Sequence, residues 1–335
     1  SIGGFTFVVF KTYKMNDMKG KQGMVCMGLL LVLSSCHTGK QITASGLQRK
    51  DFQTEVNGQH TDLFTLSNKQ GMEVCITNYG ARVVSILVPD RNGKREDVVC
   101  GFSTITEYME QRQNFGSTVG RYIGRILNAR FTLDGVEYKL VPNNGKSGHI
   151  SHGGNPGFAD RIWKVEQADT HRVRLSYLSP DGENGFPGNL KVTLVYSLGE
   201  DDNALDLTYE ATTDAPTVLN LSHHSFFNIS GNFTKSVEDQ QLWVDADRFT
   251  PYDDKKCVTG EYLQVAGTPL DFRMPHAIGE CIDADHPQLK VVNGYDHTWE
   301  LNTKGDDTRP AAWVYDPASG RKMEIFTTEP GIQIY

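Results

Sequence analysis

The sequence has little that would cross a bilayer or bind a polyanion. Beyond its first 40 residues, no apolar run reaches the roughly 20 residues that a membrane-spanning helix needs. It carries 33 Lys and Arg against 41 Asp and Glu, a net charge of −8, and no basic stripe. A nucleic-acid partner is therefore not expected, because such partners require clustered positive charge. A long amphipathic helix is also missing.

Cysteine is scarce and its spacing points to no metal centre. Of the six cysteines, Cys26 and Cys36 belong to the N-terminal segment described below. The other four show no Cys-x-x-Cys spacing, which argues against a zinc site. We interpret them as buried small residues, with a disulfide as the open alternative; they are Cys75, Cys100, Cys257 and Cys281.

The N-terminal segment is typical of an export signal. Lys19 and Lys21 precede an apolar run over residues 24–33 that is too short to span a bilayer. The run closes on Leu-Ser-Ser-Cys36, which resembles the end of a bacterial lipoprotein signal. The alternative is a buried core helix that happens to follow two lysines.

This interpretation divides the chain into four parts. We predict a signal peptide over residues 18–35, lipidation of Cys36, and a short tether over residues 36–50. Residues 1–17 would then lie upstream of the natural product. An exported lipoprotein, periplasmic or associated with the outer membrane and anchored through Cys36, is the expected product, because the multiple acylation of such proteins anchors firmly.

Residues 51–335 contain a succession of segments with the alternating pattern of β-strands. Apolar residues alternate with polar ones over residues 173–177, 190–198 and 205–209, as in antiparallel strands with one buried face. Asp134-Gly135 lies between two alternating segments and predicts a hairpin turn. With one short helix candidate, Thr104–Gln113, and no linker or repeat, the pattern predicts a single all-β domain, a large antiparallel β-sandwich.

Several histidines lie in polar or glycine-rich segments. His149 and His152 have a spacing compatible with a metal site, although they lie in a glycine-rich loop. Further on, Asn220, Ser222, His224 and Phe226 would share one face of an extended segment. An imidazole between small polar groups and an aromatic ring suits a sugar, which offers hydroxyls and a C–H face. The alternative is a buried histidine that hydrogen-bonds to Asn220 or Ser222.

Two carboxylates lie in turn-like contexts. Glu329 precedes Pro-Gly, so a turn restricts its backbone and could hold it as a general base. Asp296, in Gly294-Tyr-Asp-His297, could bind hydroxyl groups. The alternatives are a solvent-exposed turn for Glu329 and a turn cap for Asp296.

Five ordered segments together resemble the galactose mutarotase (aldose 1-epimerase) family: Gly120–Ile126, His152–Gly154, Asn220–Asn228, Gly294–His297 and Thr328–Gln333. Asn78–Ala81 and Gly185–Gly188 fit as well. The resemblance implies a β-supersandwich that interconverts the anomers of free hexoses such as galactose or glucose. The implied reaction consists of two proton transfers, which move no electrons. The resemblance therefore implies no cofactor and no metal.

The resemblance also implies roles for individual residues. Glu329 matches the family's catalytic base, His224 its general acid and His152 its second histidine, while Arg125 and Asp296 match residues that hold sugar hydroxyls. Asn220 and Phe226 are expected to contact the substrate. Gly124 departs from the family, where many members have Asn. Members usually continue beyond the Glu-Pro-Gly segment, so we expect the C-terminal strands to be truncated at Tyr335, leaving an open sheet edge.

Three other functions stay open at this point. Glu329 and Asp296 could be the two carboxylates of a glycosidase, although the histidines would then have no role. A carbohydrate-binding lipoprotein without turnover would keep the same pocket. A relative acting on hexose 6-phosphate would need a Lys/Arg cluster, which is not evident. A monomer is favoured.

Overall fold

The computed structural model describes residues 5–15, as a backbone strand, and residues 41–335. The predicted signal peptide over residues 18–35 and the lipidation site Cys36 lie outside these described ranges. Within them, no helix combines the length and the apolar character needed to cross a bilayer.

Most of the described secondary structure is strand. In chain order the strands are β1 (Phe5–Met15), β2 (Glu55–Val56), β3 (Gln59–His60), β4 (Leu63–Ser67), β5 (Glu73–Thr77), β6 (Arg82–Pro89), β7 (Arg95–Asp97), β8 (Thr118–Val119), β9 (Arg125–Ile126), β10 (Arg130–Leu133), β11 (Val136–Lys139), β12 (Ile150–Ser151), β13 (Lys164–Ala168), β14 (Arg172–Ser179), β15 (Leu190–Leu198), β16 (Ala204–Thr213), β17 (Ser222–His223), β18 (Gln241–Val244), β19 (Arg248–Thr250), β20 (Leu263–Gln264), β21 (His276–Ala277), β22 (His297–Glu300), β23 (Ala312–Tyr315), β24 (Arg321–Thr327) and β25 (Gly331–Ile334).

The helices are short. The α-helices of the described chain are α1 (Ile105–Gln111) and α2 (Pro287–Val292). Single 3-10 turns occupy Arg49–Phe52, Leu127–Ala129, Gly145–Ser147, Phe158–Asp160, Glu183–Gly185 and Ile278–Glu280. Helix α1 confirms the predicted helix over Thr104–Gln113. It begins with a capping box, in which Thr104 Oγ1 accepts the Glu107 N–H and the Glu107 carboxylate accepts the Thr104 N–H.

One large sheet organises the molecule. Among the described residues it has nine strands in the order β13-β14-β15-β16-β1-β24-β23-β18-β21. Every described pairing in it is antiparallel except the two that β1 makes. Along β16 the side chains alternate between buried and half-buried, as predicted for a strand with one face on the core.

Two four-stranded sheets cover the buried face of this large sheet. The sheet β4-β5-β6-β7 packs on β14, β15 and β16 through a core that includes Val74, Ile86, Leu194 and Leu207. The sheet β20-β19-β22-β25 packs on β18 and β23 through a second core around Trp299. Sheet-on-sheet packing over continuous apolar cores confirms the predicted all-β sandwich.

Strand β1 was not expected from the sequence, which set residues 1–17 aside. Its backbone lies between β16 and β24 and runs parallel to both. The pairing therefore gives residues 5–15 a place in the sheet, whereas the position of residues 1–17 upstream of the natural product stays a prediction.

The predicted tether over residues 36–50 requires a correction. Its described part, residues 41–50, packs on the domain. Thr43 is buried, and the backbone N–H groups of Ala44 and Ser45 donate to the buried Glu73 carboxylate at 2.7 and 3.3 Å. A buried carboxylate needs such donors, so this segment belongs to the folded unit.

The predicted hairpin is confirmed, and the predicted burial of the cysteines holds for two of the four. Strands β10 and β11 form the predicted hairpin, and both turn residues, Asp134 and Gly135, have positive φ angles of 50° and 80°. The four cysteines within residues 41–335 are free thiols. Cys75 and Cys257 are buried, whereas Cys100 and Cys281 are half-buried.

Candidate active site

His224 is held by backbone hydrogen bonds on both sides. Its N–H donates to the Ser117 carbonyl at 2.9 Å, and its carbonyl accepts the Gly116 N–H at 3.0 Å. The neighbouring His223 points elsewhere: its Nε2 lies 2.7 Å from Ser225 Oγ. The expectation that only one of the two histidines faces the common cavity is supported by this arrangement.

His152 reaches the same place from a glycine-rich loop. Its φ angle is 54°, and its Nδ1 accepts the Gly124 N–H at 3.3 Å. This hydrogen bond leaves the proton of the neutral ring on Nε2. The loop needs glycine at position 153, because φ is 79° there and a Cβ would lie 2.0 Å from the Gly120 carbonyl oxygen.

The two imidazoles lie next to each other. The ring centroids of His152 and His224 are 5.4 Å apart, and the ring planes meet at 87°. His149, by contrast, does not join them: it is buried, and its Nδ1 accepts the Asn128 N–H at 3.0 Å. Within the described ranges, no group of three or more His, Cys, Asp or Glu residues has a geometry that could hold a metal ion.

Asp296 is a carboxylate whose charge acts on one member of this pair, His224. It lies immediately before β22, and its Oδ1 accepts a hydrogen bond from Gln333 Nε2 at 2.7 Å. Its charge acts on His224, and Arg125 and Lys256 in turn act on Asp296. Arg125 itself donates to the Lys256 carbonyl at 2.9 Å. The carboxylate therefore faces a histidine and two cations.

Burial sets the protonation of the three titratable groups. Desolvation lowers the pKa of His152 to about 4, with smaller contributions from His224 and Arg125. Desolvation also lowers the pKa of His224, although the charge of Asp296 opposes this effect. Burial raises the pKa of Asp296, while Gln333 and Arg125 lower it. His152 is consequently a neutral donor at physiological pH.

Aromatic rings border the histidines on one side. The centroid of Phe226 is 5.1 Å from that of His224 and 5.3 Å from that of Phe115. Tyr335, 79% exposed, packs edge-on against Phe226 at 5.5 Å. Phe226 thus lies beside His224, as the shared face of the segment predicted, whereas its contact with the substrate stays a prediction. Asn220 is bonded by its backbone to Arg121 and Ile123, with an exposed side chain.

Open space adjoins the site at His152, on a side that His224 and Asp296 do not line. A cavity of about 120 Å³ adjoins His152 and is lined by hydrogen-bonding side chains together with loop backbone. Its polar lining includes Arg112, Asn114, Asn155 and Asp160. These groups are suited to binding hydroxyls.

The structure does not bring Glu329 to the histidines. Strand β25 pairs with β22 so that Gly331 lies opposite Glu300 and Ile334 opposite His297. Glu329 therefore lies at one end of β25 and Asp296 beside the other. A bend over residues 328–330 precedes strand β25, and the strand itself rises about 10 Å from Gly331 to Ile334 at 3.3 Å per residue. Within residues 41–335 the Glu329 side chain makes no hydrogen bond or ion pair. The described contacts do not place Glu329 beside the histidines, and its base role stays a prediction.

Three residues that interact with Asp296 or with its neighbour were not predicted from the sequence: Gln333, Tyr252 and Lys256. Gln333 was part of a recognised segment, but nothing in that segment signalled that it bonds Asp296, which lies 37 residues away. Tyr252 contacts Gln333, and Lys256 acts on Asp296. All three depend on long-range packing, which local patterns do not report.

The fold and the paired histidines place the molecule in the galactose mutarotase-like class of β-sandwich proteins. A family model described as aldose 1-epimerase matches residues 62–335. The chain belongs to the aldose 1-epimerase family.

Curated relatives agree with this assignment. Galactose mutarotase of Sus scrofa is 38% identical over 272 residues, which cover 81% of this chain and 76% of the relative. Aldose 1-epimerase of Escherichia coli (strain K12) is 36% identical over 279 residues, covering 83% and 79%. An aldose epimerase homologue from C. elegans superimposes with a TM-score of 0.74 at 30% identity, covering 82% of this chain and 81% of that structure.

Proposed function

We propose that this protein is an aldose 1-epimerase that interconverts the α and β anomers of a free hexose such as galactose or glucose. The observation that carries the proposal is the adjacency of His152 and His224, with the Asp296 carboxylate acting on His224. Family membership supports the same activity. The polar cavity beside His152 and the ring of Phe226 offer the two kinds of surface that a sugar needs.

The reaction needs one proton acceptor and one proton donor. A base takes the proton of the anomeric hydroxyl while an acid protonates the ring oxygen, so the bond from C1 to the ring oxygen breaks and a free aldehyde forms. Rotation about the C1–C2 bond presents the other face, and the reverse steps close the ring. No atom is gained or lost.

The described residues can fill both roles. His224 is the proposed acid, as the sequence predicted, and the charge of Asp296 favours its protonated form against the effect of burial. His152 donates an Nε2–H hydrogen bond to the substrate because its Nδ1 is occupied by the Gly124 N–H. We assign the base role to Asp296, the carboxylate in the described part of the chain that acts on His224. Arg125 lies close enough to lower the pKa of this carboxylate and to favour its ionised form.

Two of the three competing functions can be compared with the structure or separated by experiment. A glycosidase needs two carboxyl groups about 5–10 Å apart, whereas Asp296 and Glu329 lie beside opposite ends of β25. A sugar-binding protein without turnover would use the same pocket and is separated by the rate measurement.

Polarimetry tests the function and the base assignment together. Freshly dissolved α-D-galactose and α-D-glucose are followed to their equilibrium rotation with wild type, Asp296→Asn and Glu329→Gln. We expect the wild type to accelerate the approach and Asp296→Asn to lose about 10²–10⁴-fold in kcat/KM. Glu329→Gln serves as the matched carboxylate control and should stay within about twofold of wild type, because a half-buried carboxylate at the far end of β25 does not contact the reacting atoms in this assignment.

Each other outcome has a definite meaning. Loss of activity in Glu329→Gln with retention in Asp296→Asn would return the base role to Glu329. Sugar binding without acceleration by a folded wild type would replace the enzyme with a binding protein.

We also propose that the protein is exported and lipid-anchored through Cys36. The support is the sequence alone: two lysines, a short apolar run and the Leu-Ser-Ser-Cys36 ending. Expression in a bacterium fed a radiolabelled fatty acid should label the wild type and move it to the membrane fraction. Cys36→Ala should be unlabelled. Equal labelling of both proteins would contradict the anchor.

A further inference from the structure

The turn over residues 252–258 brings a second cation, Lys256, to the site. Asp253 closes this turn, because its carboxylate accepts the backbone N–H groups of Lys255 and Cys257 at 2.9 Å each. The Cys257 side chain is buried, and the two end residues of the turn pair through an isolated antiparallel bridge. The backbone of Lys256 is therefore held by a regular, hydrogen-bonded turn.

Two contacts connect this turn to the site. Arg125 Nη1 donates to the Lys256 carbonyl oxygen at 2.9 Å. At the start of the turn, the Tyr252 hydroxyl oxygen lies 3.4 Å from Gln333 Nε2, which itself donates to Asp296 Oδ1 at 2.7 Å. Lys256 therefore lies on the side of the site that Arg125 and Asp296 form, and its ammonium acts on the Asp296 carboxylate through space.

On this side of the site, two cations face one carboxylate. Arg125 and Lys256 both act on Asp296, yet in the part of the chain that the structure describes neither cation forms a salt bridge. The Asp253 carboxylate is bonded to the backbone of its own turn. His152 is neutral at physiological pH. Arg125 uses one N–H group on the Lys256 carbonyl, which leaves other N–H groups of its guanidinium for a ligand.

We propose that this side of the site binds the carboxylate of a hexuronic acid, and that Arg125 and Lys256 select such a sugar over the corresponding neutral hexose. The inference rests on the proposed function, because it names an acidic substrate for the same site. A hexuronic acid keeps the anomeric hydroxyl and the ring oxygen and has a carboxylate in place of the hydroxymethyl group. A guanidinium binds a carboxylate through parallel N–H groups, and an ammonium adds a point charge.

A phosphorylated hexose matches these groups less well. A phosphate monoester carries a charge of about −1.5 to −2 near neutral pH and has three acceptor oxygens. Two cations that already face one carboxylate leave a surplus of one positive charge, which a single carboxylate neutralises. The sequence showed no Lys/Arg cluster here because Arg125 and Lys256 are 131 residues apart along the chain.

The first test compares the dissociation constants of D-galacturonate and D-galactose for the wild type, measured by isothermal titration calorimetry at low ionic strength. We expect galacturonate to bind about fivefold more tightly, because an exposed ion pair contributes up to about that factor. The methyl ester of galacturonic acid keeps the shape but loses the charge, so it should bind like galactose. Salt at about 0.5 M should reduce the preference for galacturonate by screening.

Substitutions at Lys256 assign the preference to this side chain. Lys256→Met removes the charge and keeps most of the apolar stem, so the ratio of the two dissociation constants should fall close to one. Lys256→Arg keeps the charge and should preserve the ratio. Lys191→Met is the matched control, because it makes the same change in net charge at an exposed position on β15. This variant should retain the wild-type preference.

Three results would overturn the proposal: an unchanged ratio in a folded Lys256→Met, equal binding of the acid and its methyl ester by the wild type, or tighter binding of galactose 6-phosphate than of galacturonate. Circular dichroism confirms the folding of each variant. The binding measurement needs no turnover. A wild type that prefers galacturonate but does not accelerate mutarotation would therefore refute the proposed function alone, and accelerated galactose mutarotation without the preference would refute this inference alone.

Discussion

Replacing His224 with glutamine is expected to lower kcat/KM for hexose mutarotation by about 10²–10⁴-fold, because proton transfer by a positioned side chain typically accelerates a reaction by that factor. Glutamine retains a hydrogen-bond donor near the sugar but cannot release a proton at the ring oxygen. The initial rate of change of the optical rotation, measured on α-D-galactose across a concentration series, gives kcat/KM.

The adjacent histidine is the matched control. His223→Gln keeps a side chain able to bond Ser225 and faces away from His152, so its kcat/KM should stay close to wild type. A similar loss in both variants would show that the segment carrying them had been disturbed, and a fully active His224→Gln would remove this residue from the mechanism.

The pH dependence of kcat/KM should also reflect the proposed roles of His224 and Asp296. Burial lowers the pKa of His224 below its ordinary 6.5, so the protonated acid is lost as pH rises through that lowered value. Burial raises the pKa of Asp296 above 3.8, so the ionised base is lost as pH falls through it. The wild-type profile should therefore be a bell with its maximum on the acid side of neutrality, and His224→Gln should lack the alkaline limb.

Replacing Arg82 with methionine is expected to destabilise the fold by about 3 kcal/mol or more, since each buried acceptor left unsatisfied costs about 1–3 kcal/mol. The Arg82 side chain is buried and its guanidinium donates to four backbone carbonyls, at Tyr79, Gln113, Phe115 and Ala159. Methionine fills similar space and donates nothing. The midpoint of urea unfolding, followed by circular dichroism, measures the loss.

This variant should also affect the site. Arg82 holds Phe115, which packs edge-on against Phe226 beside His224. Arg82→Lys, with one compact ammonium instead of a planar fork, should be intermediate in stability. Arg95→Met, at an exposed position on β7, is the surface control and should leave the midpoint unchanged. An unchanged midpoint for Arg82→Met would show that the four carbonyls find other donors.

Local patterns predicted the strands well, because the alternation of buried and exposed side chains is a property of each strand by itself. The runs over residues 173–177, 190–198 and 205–209 fall within β14, β15 and β16. The same alternation separated His223 from His224. The Asp134-Gly135 hairpin followed from the φ angles that those two residues accept.

Local patterns could not give the positions that depend on the register of strand pairing. The Glu-Pro-Gly turn correctly suggested a restrained carboxylate, but the pairing of β25 with β22 decides the end of the strand at which Glu329 lies. The register between two strands is set by their packing against other sheets, so it cannot be inferred from the sequence of one segment. The tether prediction failed for a similar reason, since the donors of residues 44 and 45 bind Glu73, nearly 30 residues away.

By itself, the sequence determined the all-β class and the segments that carry the histidines, Asp296 and Phe226, because these depend on residue type and on neighbours along the chain. Only the tertiary structure decided which groups meet. It paired His152 with His224, connected Gln333 to Asp296, and placed Glu329 apart from them. It also determined the protonation of the site, because the pKa of a histidine or an aspartate depends on the desolvation and the charges that folding places around it.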